Sequence, residues 1–172
     1  MPPYIERATL HPRGFNDSVV LPYGLRVADV KAAMDDIYDL LYNVNQFLAQ
    51  RGWDRLEDIL LAAAFSGMMS GLVVGGVSKQ SATLTANKYH NGRPDLVPHG
   101  RYEGDSCHRG DEGIEVKASR TSSWQGHNVE TGWIMICQYS VDSVALPAED
   151  RSPSKIEMVL CANLVESNWS FS

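Results

Sequence analysis

The sequence predicts a mixed α/β (α+β) fold in which an N-terminal helical part is followed by strands. Three features carry this: an apolar stripe at helical spacing, a charge-free stretch behind it, and four strand-like segments in the second half. Helices first and strands afterwards indicate a mixed β-sheet flanked by helices rather than alternating βαβ units. A chain of 172 residues suits one domain, 1–172, with an irregular arm at 1–26, a helical part at 27–70 and a sheet at 84–165.

The arm holds Pro2, Pro3, Pro12 and Pro22, which break regular structure. A helix is then expected over 27–50, where Val30, Met34, Ile37, Leu41, Val44 and Leu48 alternate steps of three and four, and Leu40 and Phe47 broaden the stripe. Asp29 suits its start and Gly52 its stop. Such a stripe fits packing on the chain's own core, and its spacing also suits helix pairing between two subunits. A second helix is expected from about Asp54 to Met69, with glycine and β-branched residues from Gly71 onward marking a change to turns and strands.

Residues 59–78 carry no charge, a length that can span a bilayer. Glu57 and Asp58 at their start, the lack of an aromatic belt and the run of glycines and serines favour a buried helix instead, and no membrane partner is expected. Strands are expected at 94–98, 113–119, 132–141 and 156–165.

With 44% apolar residues the chain can fill a core, which excludes disorder. Cys107, Cys137 and Cys161 are widely spaced and odd in number, and the N-terminus has no signal pattern, so a reducing cytoplasm is the expected location. A net charge of −6 argues against a polyanion partner, but its distribution softens that. Between Lys79 and Arg120 seven basic residues face six carboxylates.

The chemistry concentrates in 92–119. In GIEVKAS an extended strand puts Ile114, Val116 and Ala118 on one face and Glu115, Lys117 and Ser119 on the other. Nineteen residues separate Glu115 from Asp95, which sits in PDLVP. Neighbouring antiparallel strands would bring Asp95 opposite Glu115, where two carboxylates repel unless a cation lies between them. Oxygen ligands with open water positions suit Mg²⁺. Phosphodiester hydrolysis uses such an arrangement: the metal supplies Lewis acidity and a lower water pKa. Lys117 can position water, stabilise charge or act as a base.

Pro94-Asp95 with Glu115-Val116-Lys117 resembles the PD-(D/E)xK nuclease superfamily, which includes many type II restriction endonucleases. The resemblance spans roughly 84–141 and implies a restriction-endonuclease-like fold with these residues on adjacent strands of a mixed sheet. It implies Asp95 and Glu115 as Mg²⁺ ligands (Mn²⁺ substituting), Lys117 as the catalytic lysine, and Glu57 as a further acidic ligand from a preceding helix. The implied partner is double-stranded DNA, cut at a short specific site by a homodimer whose two-fold axis matches a palindrome. A phage, repair or recombination nuclease of the same fold, or a non-cleaving DNA-binding or assembly module, is the alternative.

Around this centre Lys88, Asn91 and Arg93 on one side, and Ser119, Arg120, Gln125, His127 and Asn128 on the other, are candidate DNA contacts by residue type. His90, His99, Cys107 and His108 match no common zinc spacing. No P-loop, dinucleotide or nucleophile-elbow motif occurs.

Overall fold

The computed structural model describes residues 5–121, 129–147 and 150–169. Three helices, α1 (Val27–Ala49), α2 (Leu56–Ile59) and α3 (Ala62–Gln80), precede five strands: β1 (Leu84–Ala86), β2 (Leu96–Pro98), β3 (Ile114–Ser119), β4 (Gly132–Ser140) and β5 (Lys155–Leu164). The strands form one mixed sheet in the order β1-β2-β3-β4-β5, antiparallel throughout except for the parallel pair β3–β4. The coarse expectation of an α/β chain with helices ahead of a mixed sheet agrees with this architecture.

Helix α1 follows its stripe. Val30, Met34, Ile37 and Leu41 are buried, joined by Ala33 and Tyr38. Asp29 closes the N-terminus by accepting the Arg26 backbone N–H at 3.1 Å, where a carboxylate also complements the helix dipole. Gly52, at φ +73°, ends the turn after the helix. Leu40 and Phe47, expected to widen the buried face, are exposed instead, because α3 covers α1 only along its inner side.

The second helix differs from expectation. It breaks at Leu60-Leu61 and then runs on to Gln80, through the glycines read as a turn. The reason is packing. Phe65, Met69, Val73 and Val77 recur every four residues and are all buried, and one such face outweighs the roughly 1 kcal/mol that each interior glycine costs a helix. Gly76 also permits close approach, since a Cβ there would stand 3.2 Å from both Cβ and O of Ala33 on α1. No described helix is long and apolar enough to cross a membrane.

Helices α1 and α3 lie side by side, and α3 packs against β3 and β1. The core between them takes Leu84, Leu96, Ile114, Val116, Met135, Cys137 and Tyr139 from the sheet. Alternation along β3 therefore holds: Ile114 and Val116 are buried, while Glu115 and Lys117 point away from that core. Strand β1 was missed in sequence because three residues are too few to show a period. Strand β2 is shorter than 94–98, beginning only at Leu96.

Candidate active site

The short reach of β2 shapes the site. Its only ladder pair with β3 is Leu96↔Ile114. One residue beyond, Asp95 stands level with Glu115, and its side chain takes over from the ladder. Asp95 Oδ2 accepts the backbone N–H of Val116 at 2.8 Å. Gly113 makes this closeness possible. At φ +142°, a Cβ there would lie 2.2 Å from the Leu96 carbonyl oxygen and 2.3 Å from Pro94 Cγ.

Asp95 is also fixed through its main chain, whose carbonyl accepts the Asn87 N–H at 2.8 Å. Asn87 is a structural hub. Its Nδ2 donates to the carbonyls of Pro94 at 3.0 Å and Cys107 at 2.8 Å, and its Oδ1 accepts the N–H groups of Tyr89 and Cys107. Its side chain is thereby spent on the loop that carries Asp95.

On β3, Lys117 Nζ donates to Glu115 Oε1 at 2.5 Å. A fourth charged residue, Glu130, enters from the segment before β4. Its Oε1 lies 2.9 Å from Arg93 Nη1 and 3.5 Å from Lys117 Nζ, and Arg93 Nε stands 3.9 Å from Glu115 Oε1. Two cations and two carboxylates thus form one ion network beside Asp95. Burial pushes the Asp95 carboxyl up to about 6; the neighbouring Glu115 charge adds to this, while the Val116 N–H bond and the charges of Lys117 and Arg93 oppose it.

Glu115 Oε2 and Glu130 Oε2 are buried without a hydrogen-bond partner among the described residues. A buried carboxylate oxygen is costly to leave unpaired, so these atoms suit a further cation. Among the described residues no group of three or more His, Cys, Asp or Glu side chains is gathered to hold a metal ion. Mg²⁺, however, typically takes only one or two carboxylates and fills its other positions with water and phosphate. Asp95, raised by burial, and Glu115, with a free oxygen, fit such a two-carboxylate set.

Two clefts meet at this network and share Arg93 and Glu115. One, of about 630 Å³, runs past Asp95 and Lys117 beneath Gly67, Ser70 and Gly71 of α3. The other, of about 850 Å³, runs past Arg109, Glu130 and Trp133 at the start of β4. The glycine face of α3 is thus open to the first cleft: a Cβ at Gly67 or Gly71 would meet nothing within 4 Å.

Of the residues expected from sequence, Asp95, Glu115, Lys117, Arg93 and Asn91 line the first cleft. Lys88 does not. It is exposed and pairs with Asp105 at 3.4 Å. Ser119 closes β3 by donating to the Thr121 carbonyl at 3.1 Å, and exposed Arg120 reaches the Val141 carbonyl at 3.4 Å. Gln125, His127 and Asn128 lie outside the described residues. Glu57 is engaged in a buried network of its own. Its buried carboxylate receives Asn45 Nδ2 at 2.9 Å and Ser154 Oγ at 3.0 Å, beside Arg55 at 3.7 Å. Both oxygens are engaged in tying α1, α2 and the approach to β5 together, and where an acidic side chain from a helix was expected, α3 offers Gly67, Ser70 and Gly71.

Glu130 carries no signal in sequence, since it belongs to no motif and reaches the site only through the parallel pairing of β4 with β3. Compared with protein families, with curated proteins and with solved structures, the chain matches none.

Proposed function

We propose that this chain is a Mg²⁺-dependent DNA endonuclease of the PD-(D/E)xK kind, with a restriction-endonuclease-like fold and Asp95, Glu115 and Lys117 as its catalytic centre. The observation that carries the reading is the placement of Asp95 against Val116. It sets one carboxylate beside a second, Glu115, that has an unpartnered buried oxygen, with a lysine bonded to that second group.

Asp95 and Glu115 would hold the cation, which supplies Lewis acidity and offsets the charge of two close carboxylates. Lys117, bonded to Glu115, would place an ammonium where negative charge grows on a phosphate under attack, or where a water must be oriented. Arg93, at the junction of the two clefts, offers a guanidinium fork that matches phosphate oxygens. Mn²⁺ meets the same donor set with little change in geometry.

The more specific form of the reading is a type II restriction enzyme acting as a homodimer on duplex DNA. Exposed Leu40 and Phe47 on the outer side of α1 give that helix an apolar surface for a subunit seam. Incubating the protein with plasmid and phage DNA in Mg²⁺ or EDTA, beside Lys117→Ala, tests both levels. Discrete fragments that need Mg²⁺ and Lys117 support the restriction enzyme. Nicking or smearing with the same dependence keeps the catalytic centre and moves the role to a phage, repair or recombination nuclease. No cleavage by the wild-type protein in Mg²⁺ or Mn²⁺ sinks the enzyme reading and leaves a DNA-binding or assembly module.

A further inference from the structure

Glu130 spends its charge on the two cations of the site. Its side chain is 15% exposed, whereas that of Arg93 is 54% exposed, so an exposed guanidinium at the cleft rim reaches down to a buried acceptor. Glu130 is fixed through its main chain: Trp169 Nε1 donates to its carbonyl at 2.9 Å, and β4 begins two residues later. Its Oε2 has no partner among the described residues, so Arg93 and Lys117 carry the compensation of its charge.

We propose that Arg93 and Lys117 form the subsite for a substrate phosphate, and that Glu130 is the positioning residue that holds both cations there until the phosphate displaces its carboxylate from Arg93. This inference rests on the nuclease reading above. A carboxylate and a phosphate present similar oxygen pairs to a guanidinium, so they compete for one fork. Arg93 lines both clefts, and a phosphate entering along either meets it. Lys117, 3.5 Å from Glu130 and bonded to Glu115, continues to compensate Glu130 once Arg93 turns away. Glu130 therefore opposes ground-state binding of a polyanion while aligning the cations that act on it.

The test is Glu130→Gln, which keeps the shape and removes the charge. Affinity for a fluorescein-labelled DNA duplex is read by anisotropy in EDTA, and the single-turnover cleavage rate is read in Mg²⁺. The variant should bind the duplex roughly three- to tenfold more tightly, as expected when a carboxylate no longer competes with phosphate for the Arg93 guanidinium, and cleave it at least about tenfold more slowly. In an Arg93→Ala background the gain in affinity should vanish. A merely structural role would lower both quantities together. Unchanged or weaker binding, or an undiminished rate, overturns the proposal. If Glu130→Gln does not fold, Glu130→Asp, which withdraws the charge from Arg93, must show the same split, and parallel losses there overturn it. A wild-type protein that neither binds nor cuts the duplex marks the failure of the nuclease reading and removes this inference with it. A competent wild type with an unaltered Glu130→Gln removes this inference alone.

Discussion

Asp95 accepts the backbone N–H of Val116, the residue between Glu115 and Lys117. The carboxylate of one strand is thereby registered against the main chain of the next, at the point where the β2–β3 ladder stops. Such a bond gives the three side chains a common frame that rotamer changes of Glu115 or Lys117 alone do not disturb.

Lys117→Ala should cut the cleavage rate by about 10²-fold or more, the usual weight of a positioned proton-transfer or charge-stabilising group. DNA affinity in EDTA should fall far less, because Arg93 remains. Single-turnover kinetics beside anisotropy decide it: equal losses in rate and affinity would make Lys117 a binding residue only.

The raised Asp95 pKa makes stability depend on pH with a definite sign. Well below the ordinary value of 3.8 the group is protonated in both folded and unfolded chains and carries no penalty. As pH rises through about 6 the folded state resists ionising it, so stability is lost relative to a chain without the carboxyl. A shift from 3.8 to about 6 corresponds to at most about 3 kcal/mol. Metal-free Asp95→Asn should therefore be more stable than wild type near neutral pH, with the gap closing as pH falls to about 3. Mg²⁺ should raise the wild-type Tm more near pH 7.5 than near pH 5, and do little for Asp95→Asn. Melting curves that run parallel across this range would refute the account.

Glu57→Ala should destabilise the fold by about 3 kcal/mol, since it strands the buried partners Asn45, Ser154 and Arg55. Activity per folded molecule should stay intact. Denaturant melts together with active-site titration check this, and a selective loss of metal binding in a stable variant would restore Glu57 as a ligand.

The glycines divide into two kinds. Gly71→Ala adds a Cβ into open space within a helix and should stabilise by about 0.5–1 kcal/mol. Gly71→Phe should fill the cleft and abolish cleavage without unfolding the chain. Gly113→Ala drives a Cβ into Leu96 and Pro94 and should cost both stability and activity. Circular dichroism and cleavage assays on the three variants separate these outcomes.

Much of this was legible in the chain, for identifiable reasons. The α1 stripe repeats its period often enough to be read from Val30 to Leu41, beyond which Asn45 and Ala49 are buried rather than Val44 and Leu48. The alternation around Glu115 and Lys117 is strict, and the pairing of Asp95 with Glu115 follows from two short strands and an intervening loop. The continuation of α3 was hidden because local glycine propensity points one way and the four-residue burial of Phe65, Met69, Val73 and Val77 the other. Glu57 is ambiguous in sequence because an acidic residue on an early helix has the same appearance whether it serves a metal or a buried hydrogen-bond network. Glu130 was invisible because it depends on a parallel pairing, and registers of parallel strands leave no local trace.

The parallel β3–β4 pair also ties the two halves of the centre to closures of similar span. Asp95 and Glu115 stand twenty positions apart, and the partners of β3 and β4 nineteen, as in Ile114↔Trp133. Loops of nearly equal length cost about the same chain entropy to close, so neither contact has an entropic head start on the other. The helices are local by comparison, so during refolding the helical signal should recover ahead of cleavage, and the acidic pair and its ion network should form together.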